Sequence, residues 1–417
     1  MKRSIYLASI RGSVLSAVML CAAFAQAASN NVDVIVNNAL YSGGSVTASL
    51  NTYCSDLRAQ GYNPILTTTA FASPDALRSH LAAEYNASGG LAGAVLIGDL
   101  PVQHYERYNE TFSDTTNVPY EKFATDLYYM DLNGTWSDSN HNGTLDTHSG
   151  SVSPEIFVSR MSTPQLAYGR TEAELINSHL AKNHAYRQGQ IRLPQNGLAY
   201  IDNDWTGSAA SWGASLGKSV AGSVTIVSDP ATTTSADYQN RLARATSPGY
   251  ESVLVAVHSA SDNHVFKEGN GQNDAPLYGY QIAAEDPQAI AYNLFSCSAG
   301  NYEAPMYLSG EYVFDNTSKA LMAVSSTKTG GMLDYDNYYT PLGNGATYGQ
   351  AYLDWWQAEA ADGLSARDED WFDGMAMTGD PLLRTEAYAA PEPSTLALLG
   401  IGAIGLLAYV CRRRRGR

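Results

Sequence analysis

The chain has 417 residues, 41 of them acidic and 25 basic, for a formal net charge of −16 at neutral pH. The two ends hold eight of the basic residues and Glu392; setting them aside leaves 40 acidic and 17 basic residues, a net −23. That balance excludes a nucleic-acid binder, which needs a basic face, and four cysteines in so long a chain exclude a disulfide-built scaffold.

Residues 1–27 carry Lys2, Arg3 and Arg11, then an apolar run from Val14 to Phe24, then Ala25-Gln26-Ala27. A charged start, a short apolar run and small residues at a cleavage point read as a secretory signal for signal peptidase. The run is shorter than the roughly 20 apolar residues of a membrane span. From 28 to 390 strand and helix signals alternate. The pattern predicts strands over 32–36 and 65–69, separated by a helix over 46–60. Ser73-Pro74 supplies an N-cap and a first-turn proline for a helix to Tyr85. Apolar runs over 92–98 and 156–158 follow. Thr171 to Glu174 is a capping box before a helix to Tyr186. Further strands are predicted over 197–202, 224–227, 252–258, 289–295 and 320–325. Continuous apolar strands between helices call for an α/β fold, a mostly parallel sheet flanked by helices. A sub-domain boundary is allowed for near 188–196.

Between these elements, Asp138, Asn140, Asn142, Thr144 and Asp146 stand at alternate positions of D-x-N-x-N-G-x-x-D, with Gly143 at the sixth. Alternate side-chain oxygens around such a turn wrap a hard cation. The loop is therefore expected to hold a structural Ca2+. Position twelve is Ser149, so it is not a full EF-hand, and a polar Asx-turn hairpin is the alternative.

Parallel sheets present ligands at the carboxyl ends of their strands. The residues there are Asp99, Asp202, Asp204, His258 and Cys297. Two segments share one form: VLVAV runs into His258-Ser259, and NLF runs into Ser296-Cys297-Ser298-Ala299-Gly300. A thiol attacks only as thiolate and needs a base brought close by the fold. Cys54 and Cys297 are the two cysteines outside the ends, so either they pair or Cys297 is a free thiol.

These segments, with VDVIV at 32–36, AVLIGDLP at 94–101, TDLYYMDLNG at 125–134, PEIFVSRM at 154–161, ALMAVSSTK at 320–328 and MTGDPLLR at 377–384, resemble the catalytic domain of the gingipain family of cysteine peptidases, distant relatives of caspases. The likeness spans Val32 to Arg384. It implies a caspase/gingipain-like fold, Cys297 as nucleophile, His258 as general acid/base, and Asp204 or Asp202 as the acid that orients the histidine. His258 is followed by Ser259 where the family has Gly. Gly330 to Asp336 is expected to line the specificity pocket, with Asp334 or Asp336 facing a basic P1 side chain or forming a solvated loop.

Residues 391–417 begin with Pro391-Glu392-Pro393, run apolar from Ser394 to Cys411, and end in Arg412 to Arg415. This order resembles the PEP-CTERM sorting signal of Gram-negative bacteria. It implies recognition by an exosortase, transient anchoring of the C-terminal helix in the inner membrane, cleavage near PEP, and delivery to the cell envelope or outside. The leading expectation is thus an exported cysteine endopeptidase acting on a protein or peptide. The alternatives are an inactive surface or exopolysaccharide-matrix protein on the same fold, and a glycosidase using two carboxylates.

Overall fold

The computed structural model describes residues 29–113, 116–166, 169–315 and 317–385. The signal at 1–27 and the tail at 391–417 lie outside them. Ten strands form the central sheet: β1 Asn31–Val36, β2 Asn63–Thr67, β3 Gly93–Ile97, β4 Phe157–Met161, β5 Gly197–Ile201, β6 Val224–Val227, β7 Tyr250–Ala256, β8 Ala289–Phe295, β9 Met322–Ser326 and β10 Met375–Gly379. Their order across the sheet is β6-β5-β7-β8-β9-β10-β4-β3-β1-β2. The ladders within β6 to β9 and within β4 to β2 are parallel. β10 pairs antiparallel with β9 and meets β4 through Thr378 and Arg160. The strands before residue 188 and those after residue 196 therefore occupy two halves of one sheet, joined by β10.

The interior strands have no polar face because helices cover both sides of the sheet. Every residue of β3, β4, β5, β7, β8, β9 and β10 is buried. The helices start where local chemistry directs. Ser73 Oγ accepts the Ala76 N–H (3.2 Å) ahead of helix Pro74–Asn86. Thr171 and Glu174 satisfy each other's backbone N–H groups and open helix Glu172–Arg187.

Two features had no clear periodic signature. A hairpin, His104–Thr111 against Asn117–Ala124, alternates weakly because much of it is exposed. β10 overlaps the quoted MTGDPLLR block only at Met377, Thr378 and Gly379, and nothing in its five residues sets its direction.

Candidate active site

β5, β7 and β8 are neighbours, and their register aligns Ile201, Ala256 and Phe295. His258 follows Ala256 by two residues and Cys297 follows Phe295 by two. Adjacent strands lie about 4.8 Å apart, so parallel pairing alone brings the two to one sheet edge. Beyond β5 the chain turns into a 3-10 helix, Asn203–Ser208, which carries Asp204 and Trp205. Asp204, His258 and Cys297 line one cavity of about 490 Å³.

His258 Nε2 lies 2.7 Å from Asp204 Oδ2. That contact fixes Nε2 on the carboxylate and leaves Nδ1 for proton exchange. Trp205 packs on the histidine ring, with centroids 4.6 Å apart. Asp202 is fully buried and accepts the Lys267 N–H through Oδ2 at 2.7 Å. Of the two acids expected to orient the histidine, Asp204 is the one in contact. Asp99 does not line this cavity; its carbonyl accepts from Asn37 Nδ2 at the end of β3.

Side-chain hydroxyls tie the two strand ends together. Ser296 Oγ donates to the Val257 carbonyl (3.0 Å) and Ser259 Oγ donates to the Cys297 carbonyl (2.5 Å). Ser259 thus bonds the turn that carries the thiol. Ser298 adopts φ 57°, the left-handed region that a non-glycine residue enters at a cost of roughly 1–2 kcal/mol. Its N–H donates to the Lys328 carbonyl, and that of Gly300 to the Ser326 carbonyl, both at 2.8 Å. A Cβ on Gly300 would stand 2.5 Å from Ser325 Oγ. The cysteine therefore sits on a tight, fully bonded turn.

Cys54 and Cys297 are both free. Cys54 is 4 % exposed in the core, whereas Cys297 opens on the cavity. Burial pushes the Cys297 thiol above its ordinary range. The Gly330 N–H hydrogen-bonds the sulfur and pulls the other way, Glu121 raises it further, and Lys328 opposes Glu121. The resting thiol is protonated at neutral pH and needs a base to become a nucleophile. Gly330 has φ 126°, and a Cβ there would meet the Trp371 carbonyl oxygen at 2.6 Å, so glycine is required for this approach.

The remaining walls come from distant segments. Phe112, Ser113 and Thr116 descend from the hairpin tip, Thr329 and Gly330 follow β9, and Trp371 lies on helix Ala366–Phe372. Sequence reasoning reached Gly330 and missed Phe112, Trp205 and Trp371; only the adjacency of Trp205 to Asp204 could have signalled one of them. Asp334 and Asp336 do not face this cavity. They line a separate pocket of about 290 Å³ with Trp212 and Tyr335, and Asp336 pairs with Lys218 at 2.8 Å. The expectation that either receives a P1 side chain beside Cys297 is corrected accordingly, because the chain turns away from the cavity after Gly330.

In the loop Asp138 to Asp146, Asp138 accepts the N–H groups of Asn142 and Gly143. Asn140 Oδ1 accepts from Asn142 N and Asn142 Oδ1 from Thr144 N, while Asp146 accepts from Ser139 N, Ser139 Oγ and Thr147 Oγ1. The amides of Asn140 and Asn142 both donate to Glu106, on the hairpin. Among the described residues no group of three or more His, Cys, Asp or Glu side chains is arranged around a metal position.

A profile of the PEP-CTERM protein-sorting motif matches residues 389–415. The chain carries a PEP-CTERM sorting motif. With it comes exosortase-mediated sorting and export to the cell envelope. A comparison with curated proteins finds no match to this chain. Among the described residues no helix is long and apolar enough to cross a membrane.

Proposed function

We propose that this PEP-CTERM protein is an exported cysteine endopeptidase on a caspase/gingipain-like fold. The observation that carries the reading is the delivery of Asp204, His258 and Cys297 by three adjacent parallel strand ends into one cavity, with the histidine held on the acid at 2.7 Å. His258 Nδ1 takes the thiol proton as the sulfur attacks the scissile carbonyl carbon. The carbonyl oxygen becomes an oxyanion within reach of backbone donors beside the sulfur, the Gly330 N–H among them. Collapse breaks the C–N bond; His258 returns the proton to the leaving amine, and a thioester remains on Cys297. Water, deprotonated by His258, then attacks the thioester and frees the carboxylic acid and the thiol.

The test is hydrolysis of a mixed fluorogenic peptide library by residues 28–390 under reducing conditions, beside Cys297→Ala. Turnover lost in the variant supports the peptidase. A folded, reduced wild type that cleaves nothing supports the second reading, an inactive surface or exopolysaccharide-matrix protein.

The loop Asp138 to Asp146 adds a structural proposal. Side-chain oxygens of Asp138, Asn140, Asn142 and Asp146 on one turn, with Gly143 at φ 91°, fit the donor set of a Ca2+ ion. Thermal melts in calcium and in chelator test it: a higher midpoint in calcium that Asp138→Ala abolishes is the expected result.

A further inference from the structure

The cavity beside Cys297 is walled by aromatic rings that touch one another in series. Phe112 meets Trp371 edge-on at 5.2 Å. Trp371 stacks on Phe295 at 5.6 Å and 20°. Phe295 meets Trp205 edge-on at 5.5 Å, and Trp205 lies against His258. Beside the polar groups of His258, Cys297 and Thr329, this series offers a ligand ring faces and edges.

The charges nearby are committed elsewhere. Asp204, the charged side chain of the lining besides the histidine, is held by His258. Glu121 lies behind Thr329 and accepts its N–H (3.0 Å) and Oγ1–H (3.3 Å). Lys328 Nζ is fully buried, 2.6 Å from Glu110, and donates to the carbonyls of Thr329 and Asp370. The face of Phe112 covers that ammonium at 5.0 Å. Among the described residues, a lysine or arginine side chain entering the cavity would lose its hydration and meet one lining carboxylate, that of Asp204, already held by the histidine; an acidic one would find Lys328 buried on Glu110.

We propose that the cavity is the pocket for the residue on the acyl side of the scissile bond, and that it selects an uncharged aromatic side chain there, Phe, Tyr or Trp. This rests on the peptidase reading. The substrate class is therefore polypeptide cleaved after an aromatic residue, with Phe112, Phe295 and Trp371 setting the preference.

The experiment is a set of peptidyl-coumarin substrates of residues 28–390, alike except at the P1 position, which carries Phe, Tyr, Trp, Leu, Ala, Lys, Arg, Asp or Asn. The expected result is a kcat/KM for Phe about 100-fold above that for Ala, and larger ratios over Lys and Asp. Phe112→Ala, which removes a half-buried ring, should lower the Phe-to-Ala ratio about tenfold, mostly through KM. A ratio within one variant is independent of how much of it is folded. Turnover confined to Lys and Arg, or to Asp and Asn, overturns the aromatic pocket and leaves the peptidase standing. So does an aromatic preference that survives Phe112→Ala and Trp371→Ala unchanged. No turnover of any member, together with no labelling of Cys297 by a peptidyl acyloxymethyl ketone, overturns the peptidase reading and this inference with it.

Discussion

At the scale of single residues, the Asp204–His258 pair is open to water. The two side chains are 48 % and 38 % exposed. An ion pair so exposed contributes at most about 1 kcal/mol to stability. Its use is geometric: it holds Nε2 on the carboxylate and leaves Nδ1 for the proton exchange proposed with the thiol. Asp204→Asn should therefore leave the melting temperature nearly unchanged and lower kcat about tenfold, an effect smaller than removal of a fully buried orienting carboxylate gives. A variant that keeps wild-type kcat would show that packing of Trp205 on the ring suffices to hold it. His258→Ala should lose activity altogether, because burial keeps the Cys297 thiol protonated and no other imidazole or amine lines the cavity among the described residues. The placement of His258 and Cys297 was legible in the sequence, since a buried β-run followed by a polar reactive residue marks a strand end. The reason that Asp204, rather than Asp202, meets the histidine was not. It depends on a 3-10 turn after β5 that buries one carboxylate against the Lys267 N–H and turns the other outward.

One element that sequence patterning missed is the hairpin His104–Thr111 and Asn117–Ala124, and its end walls the cavity. Its exposed face carries Tyr108 and Tyr120, both about half exposed, so apolar alternation is masked. Its inward side carries charge: Arg107 reaches Glu369 at 2.6 Å and Asp370 at 2.7 Å, and Glu110 contacts Lys328 at 2.6 Å. Polar residues buried by pairing read as surface in a sequence, which is why only the structure brings Phe112 to Cys297. Burial raises the Glu110 pKa to about 7; Lys328 opposes that rise, and Glu121 and Asp370 add to it. An acid with a raised folded pKa holds its proton in the native chain after the unfolded chain has lost it. The stability it contributes is thus present below its ordinary value of 4.5 and is lost as pH climbs through 7. Glu110→Gln keeps the shape and removes the titration. Relative to wild type, the variant should gain stability between pH 4.5 and 7 and gain no more above. Denaturant midpoints of both proteins across that range check the sign; a difference independent of pH would show that Glu110 is already ionised at acid pH.

On the scale of the whole molecule, the mostly parallel sheet follows from composition and order, because runs such as GLAYI, YESVLVA and AIAYNLF between helices can only be interior strands. Which strands neighbour one another does not follow. β9 and β8 are consecutive and adjacent, yet β10, last in sequence, sits at the centre and joins the two halves. Non-local pairing of that kind leaves no periodic trace in five residues. It also means that the described core closes on the end of β10 and the residues just after it: Leu382, Leu383 and Thr385 are all at most 1 % exposed. The sorting motif begins at residue 389, beyond that closure. Folding and sorting are therefore expected to be separable, since the described core already closes by residue 385. A chain ending at residue 390 should melt within about 2 °C of the full chain in detergent. It should also leave the membrane fraction of an exosortase-bearing cell, where the untruncated precursor is retained through its apolar run and arginine stop. Replacing Arg412 to Arg415 with serine should give intact, folded protein that fails to be processed, seen as an unshortened mass. If truncation at 390 instead lowers the melting temperature by 10 °C or more, several kcal/mol of core contacts must come from the tail, and release at the PEP site could not leave this fold intact.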